Sequence, residues 1–276
     1  MIKNKVGLIG GGNMARAIAG GLLRGGMHAT DLFVSEPRAS QCEVLRKELY
    51  GAMVSEDNTA VAGRAEVLLF AVKPQILKSV CRELAGIVQE TRPLVMSIAA
   101  GPRLDDIDEW LGGGNSVIRV MPNQPALIDQ GISAMIANAR ASDEQRELAE
   151  AIMTAVGQVV WIVDEIHMDA VTAISGTGPA YFYLLIDIMI ESGIRFGLDP
   201  DTARSLAVET ARGATSLAAA ETESMSAMVD RVRSPGGTTQ AAFEHLDDAG
   251  VHDIFEKAIR AARDRAIELA DEAKHN

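Results

Sequence analysis

Near its start the chain carries an apolar run, Val6-Gly7-Leu8-Ile9, that leads through Gly10-Gly11-Gly12-Asn13-Met14-Ala15 into the helix-periodic stretch Met14–Arg24. A strand, a G-x-G-x-x-A turn and a helix in that order leave few ways to fold. Gly10 permits the tight turn, Gly12 lets a pyrophosphate approach the backbone, and small Ala15 allows close helix–strand packing. A glycine-rich turn without a ligand has the same composition, but the flanking strand and helix favour dinucleotide binding.

The rest of the first half continues the pattern. Lys5–Ile9, Leu32–Ser35, Val67–Ala71, Leu94–Ile98, Val117–Val120, Ile132–Ile136 and Val159–Val163 read as strands. Helices read over Met14–Arg24, Ser40–Leu49, Gln75–Val88 and Asp143–Ala155. This alternation predicts an α/β domain over residues 1–164, a doubly wound, Rossmann-like parallel sheet. Beyond it the strand rhythm stops. Ala180–Phe196, Asp201–Ala220, Met225–Val232, Thr239–Leu246 and Val251–Ala273 read as helices, so residues 165–276 are expected to form an all-α domain.

Charge and composition narrow the function. The net charge of −12 disfavours nucleic acid and anionic membrane surfaces as partners. Cys42 and Cys81 form no CxxC or zinc spacing and read as reduced thiols, and the scattered histidines predict no metal site. No signal-peptide organisation opens the sequence, so a cytoplasmic protein is expected. The longest apolar run, Tyr181–Ile190, is interrupted by Asp187, is short for a membrane span and reads as a buried helix.

Candidate site residues fall at strand ends and in one distant loop. In Val34-Ser35-Glu36-Pro37-Arg38, Glu36 suits a ribose 2′-OH and hence NADH, whereas Ser35 and Arg38 suit a 2′-phosphate and hence NADPH. Either reading stands on the residues alone, as does a solvated surface role. Ala71-Val72-Lys73-Pro74, Ser97-Ile98-Ala99-Ala100-Gly101 and Met121-Pro122-Asn123-Gln124-Pro125 end further strands, where a nicotinamide crevice would lie. Far downstream, Ser234-Pro235-Gly236-Gly237-Thr238-Thr239 precedes a helix. Its adjacent glycines let backbone amides converge, and with the helix dipole they suit a small carboxylate; an ordinary helix-start loop is the plainer alternative.

These motifs, together with Ile174-Ser175-Gly176-Thr177-Gly178-Pro179-Ala180-Tyr181, resemble the pyrroline-5-carboxylate reductase family over nearly the whole chain. The resemblance implies reduction of 1-pyrroline-5-carboxylate to L-proline with NAD(P)H, at the last step of proline biosynthesis. It implies a Rossmann domain followed by a helical dimerisation domain, hence a homodimer or a larger assembly of dimers. It also implies that Gly10, Gly11, Gly12, Asn13, Met14, Ala15 and Ser35 line the coenzyme, with Asn58 near the adenosine. Ala71, Val72, Lys73 and Pro74 would flank the nicotinamide, and Ala99 and Ala100 the same crevice. Glu165 would lie near the substrate, Gly237, Thr238 and Thr239 would bind its carboxylate, and the Thr239 hydroxyl would face the ring nitrogen. Resemblance at Ser35 favours NADPH, with NADH as the other possibility. Two departures stand out: Thr238 replaces an alanine of some relatives, and Arg231 an asparagine placed near the coenzyme. A β-hydroxyacid-type dehydrogenase would require a lysine on the helix after Ser175–Gly178, and Ala180–Phe196 has none. A non-catalytic NAD(P)-binding sensor or scaffold would not need the Ser234–Thr239 loop.

Overall fold

The computed structural model describes residues 2–275. Its sheet is assembled from β1 (Val6–Ile9), β2 (Leu32–Ser35), β3 (Met53–Ser55), β4 (Val67–Phe70), β5 (Leu94–Ser97), β6 (Val117–Met121), β7 (Gly131–Ala137) and β8 (Gly157–Trp161). The spatial order is β3-β2-β1-β4-β5-β6-β7-β8. Between strands run α1 (Asn13–Arg24), α2 (Ala39–Glu48), α3 (Asn58–Ala62), α4 (Pro74–Thr91), α5 (Leu104–Trp110) and α6 (Asp143–Thr154).

Local chemistry accounts for the element boundaries. The central strands, such as Val-Leu-Leu-Phe in β4, are buried throughout, as a sheet covered on both faces requires. Asp57 accepts the Thr59 amide to start α3, Pro74 occupies the first turn of α4, and Ser142 and Gln145 form a capping box at α6. Arg119 on β6 is the largest fully buried side chain and is matched by a carboxylate described below.

The parallel sheet expected from the sequence needs one correction. β7 runs antiparallel to β6, because the connection over 122–130, which holds only a 3₁₀ turn at Gln124–Ile128, is too short for a crossover. β8 then pairs parallel with β7, starting at Gly157 rather than Val159. Three short elements, β3, α3 and α5, carry too few residues to show a period.

By packing, the chain forms two units, Met1–Thr177 with Ala262–Asn276, and Gly178–Ala261. In the first, Glu165–His167 forms a 3₁₀ turn that leads to α7 (Met168–Val171) and a π-helical turn at Thr172–Gly176. The second contains α8 (Gly178–Arg195), α9 (Pro200–Ala220), α10 (Met225–Val232), α11 (Thr238–Asp248) and the start of α12 (Val251–His275). Asp199 caps α9 by accepting the Thr202 amide, with Pro200 at the first position. The final turns of α12 return to the sheet unit: Ala266 and Ala270 are buried, and Lys78 Nζ donates to Lys274 O at 3.0 Å.

Tyr181–Ile190, read as a buried helix, is not covered within its own chain. Within the single chain Phe182, Tyr183, Leu184, Leu185, Ile188 and Met189 are each about half exposed. Residues 165–195 form one stretch long and apolar enough, by length and composition only, to cross a membrane.

Candidate active site

The glycine turn joins the ends of β1, β2 and β4. The Gly10 amide donates to Ser35 O at 2.9 Å, and the Ala71 amide donates to Ile9 O at 2.8 Å. Gly10 adopts φ +103, and a Cβ there would lie 2.8 Å from Ala71 O and 3.1 Å from Val72 Cγ1. Gly12 differs: a Cβ on it would meet nothing within 4 Å. It is the N-cap of α1, and the first helical bond is Arg16 N to Gly12 O, so the amides of Asn13, Met14 and Ala15 have no helical acceptor. Open space, free amides and the positive end of a helix dipole suit a phosphate or pyrophosphate.

The end of β2 departs from expectation. Ser35 is fully buried and its Oγ lies 3.5 Å from Leu8 O, so the hydroxyl expected to line the coenzyme faces the interior. Ser35 acts on the turn through its carbonyl instead. Glu36 is also buried, at 4% exposure, and not a solvated residue. Its Oε2 accepts the Gly11 amide at 3.3 Å, and its Oε1 accepts the Arg38 amide at 3.1 Å and Arg38 Nε at 2.8 Å. Burial pushes this carboxyl up, but the hydrogen bonds and charge of Arg38 outweigh it and hold the group below the usual carboxylate value. The guanidinium of Arg38 remains exposed. Asn58, at the start of α3, is half-buried and donates to Glu83 Oε1 at 3.4 Å.

Beyond β4, Ala71, Val72 and Pro74 are half-buried, while Lys73 is exposed at the N-cap of α4. Beyond β5, Ala99 is buried with its amide on Ser97 Oγ at 3.3 Å, and Ala100 is half-buried. These residues thus follow the carboxyl ends of neighbouring parallel strands, where open α/β sheets bind ligands.

Glu165 takes a different role from the one expected. Its Oε1 accepts from Arg119 at 3.0 Å and from the Leu104 amide at 2.9 Å, while Arg103 pairs with buried Asp169 at 2.7 Å. Arg119 is 1% exposed, and burial pulls its guanidinium below the ordinary value. A buried cation left unpaired is costly, so Glu165 serves first as its counter-charge. Both of these bonds use Oε1 of a side chain that remains partly exposed.

In the helical unit, Ser234–Gly237 turns tightly into α11. Gly236 takes φ +70, and Gly237 is the N-cap. The Gly237 amide, expected to face a carboxylate, here donates to Ser234 O at 2.9 Å. The first helical bond is Ala241 N to Gly237 O, so among the described residues Thr238, Thr239 and Gln240 hold the free amides. Gln240 escaped notice in the sequence, yet placing the N-cap at Gly237 fixes it as the third first-turn donor. Thr239 is half-buried, and its hydroxyl neither caps the helix nor has a partner among the described residues. A cleft of about 430 Å³ lined by Pro235, Gly236, Gly237, Gln240, Ala241 and Glu244 adjoins this turn. Arg231 pairs with Glu223 at 3.2 Å and Glu221 at 3.7 Å. No group of three or more His, Cys, Asp or Glu placed to hold a metal occurs among the described residues.

Residues 165–269 match the pyrroline-5-carboxylate reductase dimerisation family. The chain is similar to a pyrroline-5-carboxylate reductase of Pseudomonas aeruginosa, 40% identical, over 97% of this chain and 97% of that one. The chain belongs to the pyrroline-5-carboxylate reductase family. A second member of the family, from Synechocystis, is also 40% identical over 96% of this chain and 98% of its own. Among solved structures, the reductase of Coxiella burnetii superposes with a TM-score of 0.89 at 36% identity, covering 98% of this chain and 99% of that one. The Plasmodium falciparum pyrroline carboxylate reductase, solved with NADP bound, has a TM-score of 0.88 at 26% identity, covering 98% and 99%. Residues 5–101 match the family described as NADP oxidoreductase, coenzyme F420-dependent.

Proposed function

We propose that the chain reduces 1-pyrroline-5-carboxylate to L-proline with NAD(P)H. The observation that carries this reading is the first turn of α11, where three unpaired amides and the unpaired Thr239 hydroxyl stand together. A cyclic imine acid needs those two things, donors for a carboxylate and one polar group for its nitrogen. Membership of the reductase family supports the assignment, and neither a non-catalytic sensor nor a β-hydroxyacid-type dehydrogenase is favoured.

The chemistry asks little of the protein beyond placement. With its nitrogen protonated, the C=N carbon already accepts hydride, so no strong side-chain acid is required. The reduced nicotinamide, when bound, supplies that hydride. The C=N electron pair then moves onto nitrogen, which keeps its proton and becomes the ring amine of proline. The amides of Thr238, Thr239 and Gln240 hold the carboxylate, and the Thr239 hydroxyl orients the ring nitrogen or relays its proton.

Coenzyme binding is assigned to Gly10, Gly11, Gly12, Asn13, Met14 and Ala15, with Asn58, Ala71, Val72, Lys73, Pro74, Ala99 and Ala100. The free amides of α1 and the open space at Gly12 fit a pyrophosphate. NADPH is the preferred form in this reading. Both oxygens of Glu36 are already engaged by donors, which weakens its claim on a ribose hydroxyl, and exposed Arg38 offers a cation for a 2′-phosphate. The NADP held by the Plasmodium falciparum relative agrees. In this division residues 1–164 bind coenzyme and residues 165–276 bind substrate and pair with a second copy, in the cytoplasm. The exposed apolar side chains of α8 supply the surface for that pairing.

The test is NADPH oxidation by the purified chain. The absorbance of NADPH should fall only when the imine acid is present, and a folded, coenzyme-binding preparation with no such loss would refute the assignment.

A further inference from the structure

One side chain ties both ends of the carboxylate loop together. Arg233 is the C-cap residue of α10, immediately before Ser234. Its Nε donates to Gln240 Oε1 at 2.7 Å, an outer nitrogen lies 3.5 Å from Asp247, and its guanidinium carbon sits 5.5 Å from the centre of the Phe243 ring. Gln240, Phe243 and Asp247 stand at i, i+3 and i+7, so Arg233 lies along one face of α11.

Little else fixes the loop. Ser234, Pro235 and Gly236 are exposed, and the Gly237 amide to Ser234 O is the one backbone bond that closes it among the described residues. Gln240 supplies a free amide, and its own side chain is held between Arg233 and Glu244, with Nε2 donating to Glu244 Oε1 at 2.6 Å. The guanidinium faces Gln240 and Asp247, so its charge is already matched and is not aimed as a ligand.

We propose that Arg233 is a positioning residue for substrate, which holds the first turn of α11 so that its amides converge on the carboxylate. This rests on reading that turn as the carboxylate site. A lysine would not substitute, since one ammonium cannot both lie over a ring and present a planar fork to two acceptors.

The experiment is steady-state kinetics of wild type, R233M, R233K, Q240A and R233M/Q240A with pyrroline-5-carboxylate and NADPH. The expected result is a rise of about tenfold in KM for the imine acid in each single variant, the loss of roughly one hydrogen bond to a charged group. The KM for NADPH and kcat should stay near wild type. The double variant should be no worse than R233M, because both changes break one contact. An imine-acid KM within about twofold of wild type in R233M, full rescue by R233K, or additive effects in the double variant would overturn the inference. If R233M does not fold, Q240A decides: an unchanged KM overturns it and a raised KM with normal melting supports it. Absence of turnover in wild type would instead refute the assigned activity, so the two failures are distinct.

Discussion

Glu36 Oε2 accepts the Gly11 amide at 3.3 Å, so the residue that follows β2 holds the turn that follows β1. With the Arg38 bonds this keeps the carboxylate charged despite burial. A group whose folded value lies below its unfolded one stabilises the fold above the ordinary carboxylate range, and that stability is lost as pH falls through the folded value. We therefore expect Glu36→Gln to lower the urea midpoint at pH 7 and to flatten the loss of stability below about pH 4.5. Equal acid slopes in the two proteins would show that Glu36 titrates alike folded and unfolded.

Gly10 and Gly12 should separate stability from binding. Gly10→Ala forces a side chain at φ +103 toward Ala71 O and should cost about 1–3 kcal/mol in chemical denaturation. Gly12→Val enters empty space from an extended backbone, so melting should change little beyond the ~1 kcal/mol of a poorer N-cap. Its KM for coenzyme should rise at least roughly tenfold, because the added methyls occupy the proposed pyrophosphate position. Unchanged coenzyme binding in Gly12→Val would move that position elsewhere.

Thr239→Ala keeps the backbone amide and removes the unpaired hydroxyl. Turnover should drop by roughly one to three powers of ten, with the fold and coenzyme binding retained. Rapid-mixing kinetics with saturating imine acid measure this directly, and wild-type rates would reduce Thr239 to an amide donor alone.

The exposed side chains of α8 predict a homodimer in solution. Light scattering at micromolar protein should give twice 29.4 kDa or a multiple of that pair. Leu185→Glu, on that helix, should shift the equilibrium toward monomer. A fully active monomer would leave the apolar surface without a role.

Cys42 and Cys81 are both buried, and burial raises both thiols, Cys81 to about 12. Neither should react with Ellman's reagent at pH 8 in the folded protein, while both should react in denaturant. Fast native labelling of either would mean that the sheet unit opens readily.

Much of this arrangement was legible because periodicity reports burial. Among the strands from Val6 to Val120, β1, β2, β4 and β5 are mainly apolar runs while β6 carries Arg119, and the helices after Gly178 keep a 3.6-residue rhythm. Glycine marked the turn after β1, and glycine with proline the turn before α11. Orientation was hidden, since β7 carries the same pattern whichever way it runs, and only the length of the 122–130 connection forbids the crossover. Side-chain direction was hidden as well. Ser35 lies at the end of a strand covered on both faces, and its hydroxyl points to Leu8 O. The resemblance put Glu165 near the substrate, but its pairing with buried Arg119, 46 residues away in sequence, was not legible. Gly237 lost its amide to a turn bond that composition does not reveal.

The return of α12 to the sheet unit bears on how the protein is made. The turn at Gly101 packs against the backbone of Leu269, where a Cβ would lie 3.1 Å from its carbonyl oxygen, and Ala266 and Ala270 are buried alongside. On the ribosome, residues 1–177 emerge long before this cover is synthesised. Domains that consist of one continuous segment can finish folding during translation. This one keeps the loop after β5 uncovered until the distant helix α12 has been made, so a segment translated well after residues 1–177 acts as the closing latch of that unit.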